Sequence, residues 1–233
     1  LESISKINKK GAAKDAVLGQ YVHGEIIGKK VIGYTDEEEV IKNSKTETYA
    51  ALKLEISNEM WKGVPFYLRT GKRLKERATE IVIIYKNDLS RLFQNSDAAN
   101  NMMVIRVQPY EGITLQFNAK VPGNKVLIDN VNMDFCHECK FGPNSPEAYE
   151  RLLYDVMLGD QTLFTSWEEV ENSWRIFDIL TGAFKGKKPH KYGAGTWGPE
   201  EADKLIEKDG RKWIEPTKPA YAEQLEKQYQ EMK

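Results

Sequence analysis

The chain has 233 residues with a formal net charge of −1, and 40% of its residues are hydrophobic and 30% charged. That balance describes a globular chain and lacks the strong basic excess with which a nucleic-acid binder neutralises phosphates; no partner nucleic acid is expected. No window approaches the roughly 18 to 20 apolar residues that a membrane span requires.

Strands come first along the chain. TYAALKLEI (Thr48 to Ile56), VPFYL (Val64 to Leu68), TEIVIIY (Thr79 to Tyr85), MMVIRVQ (Met102 to Gln108) and GITLQFNA (Gly112 to Ala119) are rich in β-branched and aromatic residues. Short connections such as QPYEG force neighbours to run antiparallel, since a parallel return needs a dozen residues or more. Ile81, Ile83 and Tyr85 alternate with Val82 and Ile84, so both faces of that strand are apolar and the sheet is expected to be covered twice.

Between the second and third strands lies YLRTGKRLKERATE, where Arg69, Lys72, Arg73, Lys75 and Arg77 fall within nine positions, residues 69–77, that hold a single carboxylate, Glu76. Two readings fit: a solvated, charge-rich loop, or a site whose mutual repulsion is relieved by a dianion such as a phosphate monoester. In DFCHEC, Cys136 and Cys139 flank His137. That spacing invites a metal or a redox reading, but structural zinc wants about four ligands and the other histidines, His23 and His190, are distant in sequence, so neither a metal nor a redox site is expected. On a continued strand the two sulfurs would point to opposite faces, which predicts two free thiols.

Helices follow. NSPEAYERLLYDVMLGD offers Ser145 as N-cap, Pro146 at the first helical position and a stripe of Tyr149, Leu152, Leu153, Val156 and Met157, stopping at Gly159. TSWEEVENSWRIFDIL carries a capping box, Ser166 with Glu169, ahead of Val170, Trp174, Phe177 and Thr181. GPEEADKLIEKDG opens at Pro199 and ends near Gly210. Both stripes are expected to face the core, with helices over one face of the sheet and a second copy of the chain over the other, giving a homodimer. No G-x-G-x-x-G fingerprint, P-loop, G-x-S-x-G elbow or H-E-x-x-H helix occurs, so no catalytic residue is assigned.

Longer blocks carry a resemblance. DAVLGQYV, TYAALKLEISNEMWKGVPFYLRTGKRLKERATEI, MVIRVQPYEGI, PEAYERLLYDVMLGDQTLF, SWRIFDIL and YGAGTWGPEEADKLIEKDG run in order from about Asp15 to Trp213. Together they resemble the C-terminal domain of the glucose-6-phosphate dehydrogenase family. The resemblance implies an α+β unit in which a large, mainly antiparallel sheet carries helices on one side and forms a homodimer contact with the other. It also implies that residues 1–233 are a single domain of a cytoplasmic enzyme. That enzyme oxidises glucose 6-phosphate to 6-phosphoglucono-δ-lactone with NADP+, in the oxidative pentose phosphate pathway. The dinucleotide fold and the segment R-I-D-H-Y-L-G-K-E that the family carries ahead of this domain do not occur here. The chain begins at Leu1 rather than Met, and a fragment is expected, inactive by itself. The competing expectation is a stand-alone phosphosugar-binding or dimerisation module.

Three substrate positions carry over by motif. Lys72 in RTGKRLKER matches the family's substrate-binding lysine, and Arg77 matches a second basic position. Gln108 in VIRVQP matches a residue that contacts the sugar, although by itself it also reads as a strand-end residue bonding its own backbone. Animal members hold a second, structural NADP+ in this domain. Arg69 and Arg106 match two of its basic residues, but Ala78, Val82, Thr114 and Gln116 stand where other parts of that pocket belong. The resemblance therefore implies no structural NADP+ here, with Arg69 and Arg106 serving packing or ion pairs instead.

Overall fold

The computed structural model describes residues 4, 9–86, 100–124, 127–142 and 148–231. The expected helix start at Ser145 and Pro146 lies outside them. The chain divides into two compact units, residues 1–76 with 160–213 and residues 77–159 with 214–233.

The first unit is built on a four-stranded sheet. Its central strands β1 (Ala16–Val22) and β4 (Tyr49–Glu55) pair antiparallel, with Gly19 opposite Tyr49 and Val17 opposite Ala51. β5 (Pro65–Gly71) adds antiparallel outside β4, and β10 (His190–Gly193) adds parallel beside β1. A short ribbon, β2 (Gly24–Ile26) with β3 (Lys29–Val31), projects after β1.

Alternation along β1 and β4 explains why this sheet is covered twice. Val17, Tyr21, Tyr49 and Ala51 share one face and pack with Tyr192 against Ala202 and Leu205 of α5 (Glu200–Glu207). Ala16 and Leu52 point the other way, onto Ala12 of α1 (Lys9–Asp15) and Leu180 of α4 (Trp167–Phe184).

The second unit holds a meander of β6 (Thr79–Ile84), β7 (Met102–Gln108), β8 (Gly112–Lys120) and β9 (Ile128–Cys136), every neighbour antiparallel. Helices α2 (His137–Phe141), α3 (Ala148–Leu158) and α6 (Ala222–Glu231) complete it. Register puts Glu80, Val104, Arg106, Thr114 and Cys136 on one face, where Tyr221 and Leu225 close over the Cys136 end. The opposite face carries Ile81, Ile83, Ile105, Ile113, Met133 and Phe135. Here Met133 is 63% and Ile81 54% exposed.

The strands thus form the expected α+β fold, the described ones lying in two four-stranded sheets and the short β2–β3 ribbon. β4 and β5 pair as far as Gly71, after which the chain turns through Arg73 at φ 53° and is laced to Gly195 and Thr196 instead of returning along β5.

The expectations for the cysteines and for both helical stripes are corrected. Cys136 and Cys139 are joined by a disulfide, with their Cα atoms 5.3 Å apart. The strand ends at Cys136 and α2 begins at His137, so the chain curls Cys139 back over Cys136 rather than carrying it to the other face. The α4 stripe also does not face the core. Ile176, Ile179, Leu180, Ala183 and Phe184 do, while Trp174 is 65% exposed and Phe177 is exposed with it. That helix is apolar on more than one side, so spacing alone could not choose the buried one. On α3, Tyr149, Leu153, Val156 and Met157 are likewise exposed.

Candidate phosphosugar site

The segment after β5 is held by backbone bonds from three directions. The Lys72 N–H donates to the Thr48 carbonyl at 2.8 Å, and the Lys72 carbonyl accepts from the Tyr192 hydroxyl at 2.7 Å. The Arg73 carbonyl accepts from the Gly195 N–H at 2.8 Å, and the Lys75 N–H donates to the Thr196 carbonyl at 3.1 Å. YGAGTWG therefore acts as a clamp on RTGKRLK. Sequence reasoning passed over Tyr192, since an aromatic in a strand carries no local sign that its hydroxyl reaches 120 residues back.

The cationic cluster is not one patch. The Arg69 guanidinium lies 5.0 Å from the ring centre of Trp197 and 4.8 Å from that of Trp213, a cation–π arrangement in which the cation doubles as packing. Arg73 pairs with Glu37 at 3.2 Å. The same carboxylate bonds the Tyr21 phenol, whose pKa is pushed up to about 12, first by burial and then by this bond. Glu37 in turn is held below its ordinary range by the Tyr21 hydroxyl and Arg73.

Lys72 and Arg77 differ. Both are exposed, and among the described residues neither side chain has a carboxylate partner. Lys72 stands at the end of β5 in the first unit. Arg77 and Gln108 belong to the second, where Gln108 ends β7 opposite Thr79, two residues beyond Arg77. The structure thus brings Arg77 and Gln108 to the same end of one sheet. Gln108 is exposed there and precedes a cis bond to Pro109.

Chemically, an ammonium and a guanidinium suit the oxygens of a phosphate monoester, and a primary amide can both donate to and accept from a sugar hydroxyl. Groups of these kinds are suited to binding and orienting a ligand.

Arg69 and Arg106 are both engaged within the fold. Arg69 is stacked between two indoles, and Arg106 is 5% exposed. The Arg106 Nε lies 3.2 Å from Glu80, close enough for an ion pair though not aligned for a hydrogen bond, and Nη1 donates to the Thr114 hydroxyl. Thr114 donates onward to Asp134. Among the described residues no group of three or more His, Cys, Asp or Glu side chains gathers as a metal site would, and no helix is long and apolar enough to cross a membrane.

Comparison with known proteins agrees across most of the chain. Residues 1–214 match the family model for the glucose-6-phosphate dehydrogenase C-terminal domain. Glucose-6-phosphate 1-dehydrogenase of Chlamydia trachomatis is 48% identical over 207 residues, covering 86% of this chain and 47% of the relative. The enzyme of the same name from Bacillus subtilis is 43% identical over 217 residues, covering 91% and 44%. Among solved structures, a glucose-6-phosphate dehydrogenase in complex with its substrate glucose-6-phosphate superposes with a TM-score of 0.79 at 33% identity. That match covers 92% of this chain and 43% of the other. The chain spans less than half the length of the curated relatives it matches.

Proposed function

The chain belongs to the glucose-6-phosphate dehydrogenase C-terminal domain family, and from that premise we propose that residues 1–233 form the substrate-binding and dimerisation domain of an NADP-dependent glucose-6-phosphate dehydrogenase. The whole protein, on this reading, is a cytoplasmic homodimer that oxidises glucose 6-phosphate to 6-phosphoglucono-δ-lactone at the entry of the oxidative pentose phosphate pathway. Lys72 and Arg77 take the phosphate and Gln108 a sugar hydroxyl. NADP+ is held mainly by the part of the whole protein outside this domain, and no second, structural NADP+ is expected here, because Arg69 and Arg106, the arginines matched to that second site, are engaged with Trp197, Trp213, Glu80 and Thr114.

The observation that carries the substrate assignment is the division among the clustered cations. Arg69 and Arg73 are engaged within the fold, whereas the two residues matched to the family's phosphosugar contacts stay exposed with no carboxylate partner among the described residues. A cation kept in that state costs little and is ready for an incoming anion.

The test is steady-state kinetics on the full-length protein. It should reduce NADP+ when given glucose 6-phosphate. Lys72→Ala should raise KM for the sugar phosphate by about 10- to 100-fold, the loss of one charge-assisted hydrogen bond, while KM for NADP+ holds. An unchanged sugar-phosphate KM removes Lys72 from the site, and absence of the reaction in the unaltered protein removes the activity.

A further inference from the structure

We propose that Cys136 and Cys139 form a redox-active pair, open to exchange with dithiols, whose state sets the order of the neighbouring turn at residues 108–112. The inference uses no ligand contact of Lys72, Arg77 or Gln108 and stands independently of the proposed activity.

The loop it closes is the first reason. The two cysteines are three positions apart. A cross-link that short removes little freedom from the unfolded chain, since disulfide stabilisation grows with the length of the closed loop. As a staple it contributes little, and the C-x-x-C spacing is the one in which oxidation and reduction interconvert readily.

The second reason is asymmetry between the sulfurs. Cys136 is 8% exposed and packed with Tyr221 and Leu225, whereas Cys139 is only half-buried. An incoming thiolate therefore meets Cys139 first. The Cys136 sulfur accepts the Cys139 backbone N–H at 3.0 Å, a donor already aimed at the atom where negative charge develops as the bond breaks.

Exchange then runs in two steps. A thiolate of the dithiol attacks the Cys139 sulfur, the bond between the cysteines breaks, and Cys136 leaves as a thiolate that takes a proton from water. The second thiol of the reductant then attacks its own sulfur in the mixed disulfide, and Cys139 departs and is protonated. Two electrons and two protons pass to the pair, and the dithiol becomes a disulfide.

The third reason is what the pair touches. Cys136 stands directly opposite Gly112 in the sheet, and the His137 N–H donates to the Glu111 carbonyl at 3.3 Å. The Tyr221 hydroxyl donates to the Tyr110 carbonyl, and Tyr110 and Cys139 both pack on the Cys136, Tyr221 and Leu225 cluster. The turn after Gln108 is therefore gripped from the side on which α2 is fastened to β9. Opening the disulfide releases α2 from the strand end and with it that grip.

The experiment uses the full-length protein in reduced and oxidised dithiothreitol buffers without denaturant, quenched with a maleimide and weighed intact. The maleimide count should change by two, at Cys136 and Cys139 together and reversibly, and Cys139→Ser should abolish that two-thiol step, with Cys136 a free thiol at every poise. Amide exchange at 110–112 and 137–142 should quicken by about threefold or more in the reduced protein, the mark of a lost local constraint. Thiols that appear only after denaturant, or that stay reduced at every poise, would overturn the redox assignment. Reversible titration with unchanged exchange at 110–112 would overturn the link to the turn. Neither readout depends on dehydrogenase activity.

Discussion

Arg106 shares one face of the second sheet with Glu80, Thr114 and Asp134, and this strip consumes a charge that the sequence could also have assigned to a ligand. The Thr114 hydroxyl is its hinge, accepting from Arg106 and donating to Asp134. Thr114→Val keeps the shape and removes both bonds, leaving a buried guanidinium donor unpaired. We expect a loss of about 1 to 3 kcal/mol, read from urea unfolding at neutral pH; an unchanged midpoint would mean that water satisfies Arg106. Tyr21 gives a pH-dependent counterpart. Its phenol is raised to about 12 in the fold, against about 10 in an unfolded chain. A raised folded value means that the associated stability is fully present below about pH 10 and lost as pH climbs through 12. The urea midpoint should therefore drop between pH 9 and pH 11, and drop less in Tyr21→Phe. Equal drops in the two proteins would assign the alkaline loss elsewhere. Tyr49, also raised by burial, keeps the variant's slope from vanishing.

Among the elements, the clamp between the β10 loop and the segment after β5 makes the clearest mechanical claim. Tyr192 is a positioning residue: its hydroxyl fixes the Lys72 carbonyl and also meets Thr48 at 3.1 Å. Tyr192→Phe forfeits a neutral hydrogen bond of about 0.5 to 1.5 kcal/mol, and on the proposed function it should raise KM for glucose 6-phosphate by a few-fold with kcat held. A fall in kcat with KM unmoved would contradict that role. This clamp was illegible in the sequence because it joins residues far apart along the chain. What was legible is local. The five strands around the cluster follow from β-branched runs and short turns, and the capping box of Ser166 and Glu169 forms with both of its bonds. Locality also explains the errors. The two thiols were separated by assuming that β9 ran past Cys136, and a single helical turn reverses that geometry. For α4, two apolar stripes compete, and only Ala12, Ala16 and Leu52 decide which is buried. The grouping of Lys72, Arg77 and Gln108 came from resemblance, since nothing in residue type alone separates Lys72 from Arg73, which is tied to Glu37.

For the whole molecule, the decisive surface is the open face of the second sheet. Ile81, Ile83, Ile113, Met133 and Phe135 are exposed across three strands, with Met103, Ile105 and Leu115 half-buried among them. Register lines these up in rows, Ile81 with Ile105, Ile113 and Phe135, and Ile83 with Met103, Leu115 and Met133. Monomers rarely leave so continuous an apolar face to water, and on the proposed function a second copy of the chain would cover it with a matching face. The contact would be isologous, so every residue on the face is used twice in the pair. Met133→Asp places a carboxylate there at a position already 63% exposed, so the unpaired subunit loses little by it. In the dimer the same change buries two like charges without partners, at a cost of several kcal/mol. Sedimentation at micromolar concentration should show a dimer for the unaltered protein and a monomer for Met133→Asp, with matching far-ultraviolet circular dichroism. A monomeric unaltered protein would sink the dimer, and a dimeric Met133→Asp would move the contact to a different surface, leaving this face for another partner.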